Sequence, residues 1–148
     1  MRYVVLLVLL LGFTVPVQTG EVDGKGLICR IGHDNNPETA KTVENVFFFQ
    51  NRSVGEMYVH LLDLEVDGDD WRPYDTSSSH IWWGNLDAWN YFSLDRRSLV
   101  LSSVIRHDNG IRETLYTLLC EVTDWAGMQR HFQPEIDKLK EEMKDNKI

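Results

Sequence analysis

Cysteine and basic side chains are both scarce in this sequence, and each shortage narrows the classes of function that it can serve. The chain of 148 residues has two cysteines, and its 15 lysines and arginines are outnumbered by 23 aspartates and glutamates, for a net charge of −8. Nucleic acids and anionic membranes require basic side chains to neutralise their phosphates, so we expect this acidic protein to bind neither. The length is sufficient for one domain with a hydrophobic core.

Motifs that identify common enzymes and metal sites are also missing. The sequence has no GxSxG, Walker or dinucleotide-binding motif, and no two histidines have the HxH, HExxH or HxxxH spacing of a zinc site. A hydrolase site would have to be assembled from histidines and carboxylates that are distant in the sequence. We therefore predict no catalytic residue and no cofactor, and we favour a non-enzymatic protein over an enzyme.

No apolar run is long enough to form a transmembrane helix, and the most apolar one lies at the N-terminus. It covers residues 4–13, follows a basic start and precedes small residues, which is the pattern of a secretory signal peptide. We predict a signal peptide over residues 1–20, cleaved after Thr19 or Gly20. A buried first strand or helix is the alternative interpretation. The signal peptide predicts a secreted or periplasmic protein.

The two cysteines, Cys29 and Cys120, are predicted to form a disulfide, because an even count in an oxidising compartment indicates pairing. Strand alternation puts Cys29 on one apolar face with Leu27 and Ile31, and Cys120 on another with Leu118. Both thiols should therefore point into the core. The bond would close a loop of about 90 residues and stabilise the fold by on the order of 4 kcal/mol. Two buried free thiols are the alternative.

The best-defined local structure is a β-hairpin in the second half of the chain. Its Asn-Gly dipeptide at 109–110 favours a two-residue type I′ turn, since both central positions need a positive φ. Folding about that turn puts Leu101 opposite Leu118 and Arg106 opposite Glu113, an attractive pair across the strands. The sequence therefore predicts a specific strand register here.

Further strands are predicted along the rest of the chain, and a turn at 95–97 links the last of them to the hairpin. The stretch 66–79 is predicted to be the longest irregular segment, because it is rich in acids, glycine, proline and serine. The predicted strands cover residues 26–31, 45–50, 56–65, 80–83 and 89–94. With the hairpin they give about seven strands, and we predict a mainly β domain over residues 21–123, a small antiparallel barrel or sandwich.

The residues after 123 follow a helical pattern. The apolar positions are spaced by three and four residues, and they are Trp125, Met128, Phe132, Ile136, Leu139 and Met143. Thr123 or Asp124 can cap the start of a helix. Pro134 predicts either a bend in one helix or the start of a second one. We expect this amphipathic segment, residues 124–148, to pack across one mouth or one face of the β-domain.

Three short motifs suggest a family. They are GKGLIC at 24–29, LDRRSL at 94–99 and the closing strand LYTLLC at 115–120. This pattern resembles small secreted proteins of unknown function from marine bacteria, in which threonine stands at the position of Ser98. The resemblance covers residues 24–30 and 82–120, and the helical segment has no counterpart in it. It implies a secreted all-β domain and no particular activity.

Aromatic side chains are the first group of candidate binding residues. The tentative ligand-binding set is Trp71, Tyr74, Trp82, Trp83 and Trp89. Trp82 and Trp83 are neighbours on a predicted strand, so one must face inward and the other outward. An outward ring near the others would stack on a sugar or an apolar ligand, or would anchor a protein. The alternative is that these loops fold their rings over the barrel end as a small satellite core.

Acidic side chains form a second, weaker candidate. The stretch that contains Asp63, Glu65, Asp67 and Asp69 begins like a calcium-binding loop, with acids at positions one, three and five and glycine at six. A tyrosine stands at the twelfth position, where such loops have a bidentate glutamate. A solvated acidic turn is the alternative interpretation. Asn51 begins a glycosylation sequon, which matters only in a eukaryotic secretory pathway.

The sequence as a whole predicts a secreted or periplasmic β-domain that binds a small molecule, a saccharide or a protein through its aromatic loops. Two alternatives remain open. One is a secreted hydrolase with a site made of histidine and carboxylate. The other is a structural protein of the cell envelope that docks through its C-terminal helix.

Overall fold

The computed structural model contains eight strands and one helix within the residues that it describes, which are 21–31, 44–84 and 90–145. The strands are β1 (Gly26–Ile31), β2 (Glu44–Gln50), β3 (Ser53–His60), β4 (Glu65–Thr76), β5 (His80–Gly84), β6 (Tyr91–Asp95), β7 (Val100–Arg106) and β8 (Arg112–Thr123). The helix is α1 (Trp125–Asp145). The predicted signal peptide, residues 1–20, lies outside the described residues.

The strands form a closed antiparallel barrel. Each strand pairs with the next one in the sequence, and β1 also pairs with β8 to close the sheet. Cys29 lies opposite Cys120 in that closing pair, and the two residues form a disulfide, as predicted. The prediction of a small antiparallel β-structure of about seven strands with a C-terminal helix is confirmed, and its architecture is the barrel.

One end of the barrel is covered by residues 21–25, which we call the leader segment. The amide of Gly24 donates to the carbonyl oxygen of Phe49 over 2.7 Å, and the amide of Arg52 donates to the carboxylate of Asp23 over 3.1 Å. Val22 packs against the barrel interior. The turns that follow β2, β4 and β6 lie at this leader end, and the turns that follow β3 and β7 lie at the opposite, far end.

The hydrophobic core has two parts, which lie on opposite faces of β1 and β2. The cluster inside the barrel consists of Leu27, Cys29, Phe47, Phe49, Val54, Ile81, Trp83, Leu94, Leu101, Leu118 and Cys120. The cluster between the barrel and α1 consists of Ile28, Val46, Phe48, Met57, Val59, Met128, Phe132 and Ile136. Both clusters exist because alternate residues of β1 and β2 point to opposite faces, and both faces are covered.

The helix is one continuous element that packs on an outer face of the barrel. Asp124 caps it, because its Oδ1 accepts a hydrogen bond of 2.7 Å from the amide of Gly127. Pro134 lies within the helix, so of the two expectations for that position a single helix is correct. Three residues of the predicted apolar stripe, Met128, Phe132 and Ile136, are buried against the barrel.

Strand β4 is the clearest departure from the sequence prediction. Residues 66–79 were expected to be irregular, but β4 occupies 65–76, and the predicted strand at 56–65 ends at His60, before a turn at 61–64. Most of β4 is exposed or partly exposed along its length. No residue of this strand is fully buried, so little apolar alternation is needed and the usual strand pattern is missing from its sequence.

The register of the β7–β8 hairpin is correct far from its turn and wrong near it. Leu101 pairs with Leu118 as predicted, but Arg106 pairs with Arg112 instead of Glu113. The strands are joined by five residues, 107–111, and a register shift beside Ser103 and Val104 restores the expected pairing. The Asn-Gly dipeptide at 109–110 still turns the chain, but within a longer loop than the two-residue turn that it favours.

Candidate functional site

A cavity of about 150 Å³ lies in the interior of the barrel, on the side formed by β2 to β6. Its lining comes from strands that are far apart in the sequence, and consists of Phe47, Val54, Glu56, Asp70, Arg72, Trp83, Gly84, Asn90 and Phe92. The rings and Val54 form an apolar base, and the charged side chains lie at a solvent-exposed mouth. An apolar pocket with a few converging polar groups is the usual form of a small-molecule site.

Three aromatic rings form the base of the cavity. The centroid of the Phe47 ring lies 5.2 Å from that of Trp83 and 5.5 Å from that of Phe92, and the Trp83 and Phe92 centroids are 5.5 Å apart. Trp83 and Phe92 are paired residues on β5 and β6, whereas Phe47 comes from β2, which pairs with neither strand. The rings therefore meet across the interior, and barrel closure holds them together.

The mouth of the cavity opens where β4 separates from β5. Within the described residues, β4 pairs with β5 over positions 74–76 alone, although it extends back to Glu65. Gly84 ends β5 with a φ of +105°, a conformation that glycine adopts without strain. The residues of β4 that precede Tyr74 therefore have no β5 residue paired with them, and their side chains border the opening.

A β-bulge in β4 lies beside this mouth. Val54 pairs with Arg72 and Glu56 pairs with Asp69, so Gly55 alone lies opposite both Asp70 and Trp71. Asp70 has a φ of +51°, which is uncommon for a residue other than glycine. Asp70 and Arg72 both line the cavity, and the bulge places Asp69 opposite Glu56.

The charges at the mouth are unequally compensated. The guanidinium of Arg72 forms an ion pair with the carboxylate of Asp70, and this contact raises the pKa of Arg72. Glu56 accepts a weak hydrogen bond of 3.4 Å from the side-chain amide of Asn45. Partial desolvation of its carboxyl, together with the negative charges of Asp70 and Asp69, raises the pKa of Glu56 above its ordinary value.

The structure brings one member of the predicted aromatic set into the cavity. Trp83 is buried at its base, and Trp82 is half-buried on the opposite face of β5, which confirms that the two rings face opposite sides. Tyr74 packs inside the barrel near the leader end, where its hydroxyl donates to Asp23 over 3.0 Å. Trp89 lies outside the described residues.

Trp71 lies on the outer surface of the barrel and not in the cavity. Its indole covers Gly55 and Gly68, and its Nε1 donates a hydrogen bond of 3.0 Å to the carbonyl oxygen of Gly68. Trp71 and Tyr74 were expected in an irregular segment but belong to β4, whereas Trp82 and Trp83 belong to β5, which confirms the strand predicted for them. The four described members of the predicted set are therefore divided among the cavity, the barrel interior at the leader end and the outer surface.

The remaining members of the cavity lining were not predicted. Phe47 and Phe92 were assigned to strands, but nothing in the local sequence indicates that their rings meet across a barrel. Glu56, Asp70 and Arg72 carry no motif, and they come together at the mouth from two paired strands, β3 and β4. The alternation of Phe47 and Phe49 with two other apolar residues is the one local signal that could have indicated rings pointing into an interior.

The acidic residues of the proposed calcium loop lie along a strand. Asp63 belongs to the β3–β4 turn, and Glu65, Asp67 and Asp69 occupy alternate positions of β4. Alternate residues of a strand are about 7 Å apart, so these carboxylates are spread out instead of surrounding one point. In the described part of the chain, no group of three or more His, Cys, Asp or Glu side chains is placed to hold a metal ion.

Each of the four described histidines approaches a carboxylate, but none of the four lines the cavity. The pairs are His60 with Asp63 at 3.0 Å, His80 with Asp95 at 3.8 Å, His107 with Glu113 at 2.8 Å and His131 with Glu44 at 2.5 Å. They join neighbouring turns and strands, or in the last case α1 to β2.

Comparison of the chain with family models, with curated proteins and with solved structures gives no match. Across residues 21–31, 44–84 and 90–145, no helix has the length and apolar character needed to cross a membrane.

Proposed function

We propose that this protein is an exported, non-enzymatic binding module that holds one compact group of a small ligand in the barrel cavity. The observation that carries the proposal is the meeting of Phe47, Trp83 and Phe92 at the base of a cavity whose mouth is polar. A closed barrel of eight strands has an interior just wide enough for packed side chains or one small ligand. Rigid walls of this kind favour binding because little has to be ordered when the ligand enters.

The size of the cavity restricts what it can accept. Its volume of about 150 Å³ is well below the roughly 300–1,000 Å³ of sites that enclose a drug-sized molecule. It is comparable to an engineered apolar cavity of about 150 Å³ that binds benzene. The ligand would therefore insert one ring-sized or similarly compact group, while the remainder of the molecule extends through the mouth beside Glu56 and Arg72.

Export is supported by the disulfide and by the N-terminal sequence. The bond between Cys29 and Cys120 would persist in an oxidising compartment, whereas cytosolic proteins generally keep their thiols reduced. The signal-peptide pattern of residues 1–20 and the resemblance to secreted proteins of marine bacteria favour the same localisation. Secretion from the cell and retention in the periplasm are both consistent with these features.

Two observations favour binding over the alternative functions: which residues line the cavity, and how far the apolar stripe of α1 is buried. The hydrolase considered as an alternative needs a histidine beside a carboxylate at the substrate, and none of the described histidines lines the cavity that contains Glu56 and Asp70. A structural protein that docks through its helix would leave the apolar stripe uncovered. Met128, Phe132 and Ile136 are instead buried against the barrel of the same chain.

The proposal can be tested by titrating the disulfide-bonded protein with ring-sized compounds and small alkylammonium salts while recording amide and indole resonances by NMR. Trp83→Phe and Trp82→Phe form a matched pair, because the two indoles are neighbours on β5 and face opposite sides. We expect ligand-induced shifts at Trp83 and Gly84, and weaker binding in Trp83→Phe but not in Trp82→Phe. Shifts confined to outer residues, or no binding at millimolar concentrations, would contradict the proposal.

A further inference from the structure

The base of the cavity is suited to a positively charged group. The face of an aromatic ring carries negative partial charge and attracts a cation whose centre lies within about 6 Å of the ring centroid. The three centroids at the base lie between 5.2 and 5.5 Å from one another, so the rings pack together and form one aromatic wall of the cavity. Aromatic side chains are a general means of recognising substituted ammonium groups.

The mouth of the cavity has the complementary charge. Its lining contains the carboxylates of Glu56 and Asp70 and one guanidinium, that of Arg72, which is paired with Asp70. The polar groups that face Glu56 are Asn45 from β2 and Asp69, Asp70 and Arg72 from β4. Within the described residues Glu56 forms no ion pair, so its charge remains available to a ligand.

Other ligand classes match these features less well. An anion would be repelled by Glu56 and Asp70, and Arg72 already has a carboxylate partner. A neutral ring would fit the base, but it would further desolvate the carboxylate of Glu56 without compensating it. A bare metal ion requires several oxygen ligands around one point, whereas this base consists of aromatic carbon.

We propose that the ligand of this cavity is an organic cation, whose substituted ammonium group lies on the rings of Phe47, Trp83 and Phe92 and is neutralised by the carboxylate of Glu56. This inference deepens the proposed binding function and depends on it. Asp70 and Arg72 then act as a neutral pair that borders the mouth. The ammonium substituents supply the apolar surface that matches the rings, and the charge supplies specificity over neutral molecules of the same shape.

The experiment compares choline with 3,3-dimethyl-1-butanol, which has the same shape but carries carbon in place of the charged nitrogen. Both are titrated into the disulfide-bonded protein at fixed ionic strength and neutral pH, and affinity is measured from NMR shifts. We expect choline to bind at least about tenfold more tightly, the difference that about 1.4 kcal/mol produces. Glu56→Gln should remove most of that difference without weakening binding of the neutral compound.

Asp67→Asn is the matched control. Like Glu56→Gln it removes one negative charge, but from the neighbouring strand β4 and at a position that does not line the cavity. It should leave choline binding within about twofold of the original protein, since exposed charges at a distance are largely screened by salt. If Asp67→Asn weakens choline binding as much as Glu56→Gln does, the proposed contact between the ammonium group and the carboxylate of Glu56 is disproved.

The outcomes separate the two proposals. Equal binding of choline and its neutral counterpart would overturn the organic cation and leave the binding function intact. Binding of neither compound, nor of any ring-sized probe, would overturn both. Choline affinity should also fall as the pH is lowered through the pKa of Glu56, which desolvation and the neighbouring carboxylates raise, and Glu56→Gln should abolish that dependence.

Discussion

Cys29 on β1 and Cys120 on β8 face each other across the pair of strands that closes the barrel, and their Cα atoms are 4.0 Å apart. The bonded residues are separated by 91 positions in the sequence, so the disulfide joins the first strand to the last. It therefore prevents the barrel from opening between its first and last strands. The same bond also restricts the unfolded chain.

Removal of this disulfide should destabilise the protein strongly. We expect the double substitution Cys29→Ala and Cys120→Ala to lower the free energy of unfolding by about 4 kcal/mol, because the bond closes a long loop in the unfolded state. Urea unfolding followed by circular dichroism measures the change. Reduction of the original protein should produce a similar loss, and the reductant should not affect the double variant. A loss below about 1 kcal/mol would show that the long loop is already constrained without the bond.

Two methionines of α1 provide a matched test of how the helix is held. Met128 is fully buried between the helix and the barrel, and Met143 is 55% exposed near the C-terminal end. Met128→Ala should cost about 2–5 kcal/mol, because it removes buried apolar atoms and leaves a cavity. Met143→Ala should change stability by no more than about 0.5 kcal/mol. Equal effects in chemical unfolding would mean that the helix does not depend on the cluster around Met128.

The contact of Trp71 with the glycines beneath it predicts a coupled pair of substitutions. A Cβ atom at Gly55 would lie 2.8 Å from two indole carbons of Trp71, so the ring would have to move. Gly55→Ala should therefore destabilise the protein by about 1–3 kcal/mol. In a Trp71→Ala background the same substitution should be neutral or stabilising, since glycine weakens a strand. A double-mutant cycle measures the difference, and additive effects would disprove the coupling.

The elements that sequence patterns predicted well are those that bury one face. Leu101 and Leu118 lie on the buried face of the hairpin, and Met128 and Ile136 lie on one stripe of a helix, so the buried positions recur with the period of the element that contains them. Strand β4 has no such face, and its alternation is missing. The predicted pairing of Arg106 with Glu113 was wrong for a different reason. A bulge shifts the pairing by one residue, and no residue type marks its position.

The candidate site was less predictable than the fold because its parts meet only after the barrel closes. Neighbouring tryptophans on a strand must face opposite sides, but the sequence could not say that Trp83 is the inward one. Phe47 reaches Trp83 from a strand that does not pair with β5. A bulge opposite Gly55 places Asp69, and not Asp70, opposite Glu56. Contacts of this kind depend on tertiary geometry, which no local pattern encodes.

The turn between β6 and β7 predicts a contribution to stability that depends on pH. Asp95 accepts hydrogen bonds of 2.8 Å from the amides of Ser98 and Arg97, and these bonds lower the pKa of its carboxyl, with a smaller effect from His80. A carboxyl whose pKa is lower in the folded state stabilises the fold when it is ionised. That stabilisation is complete above the ordinary aspartate value of about 3.9 and is lost as the pH falls through the lower folded value.

Asp95→Asn isolates this effect, because asparagine keeps an oxygen that can accept from both amides but does not titrate. We expect the melting temperature of the original protein to exceed that of Asp95→Asn at pH 7, and the difference to shrink progressively below about pH 4. Glu21 and Asp63 also have lowered pKa values, but both proteins contain them, so their contributions cancel in the comparison. Parallel melting curves for the two proteins from pH 7 to pH 2 would show that the ionised carboxylate of Asp95 does not stabilise the turn.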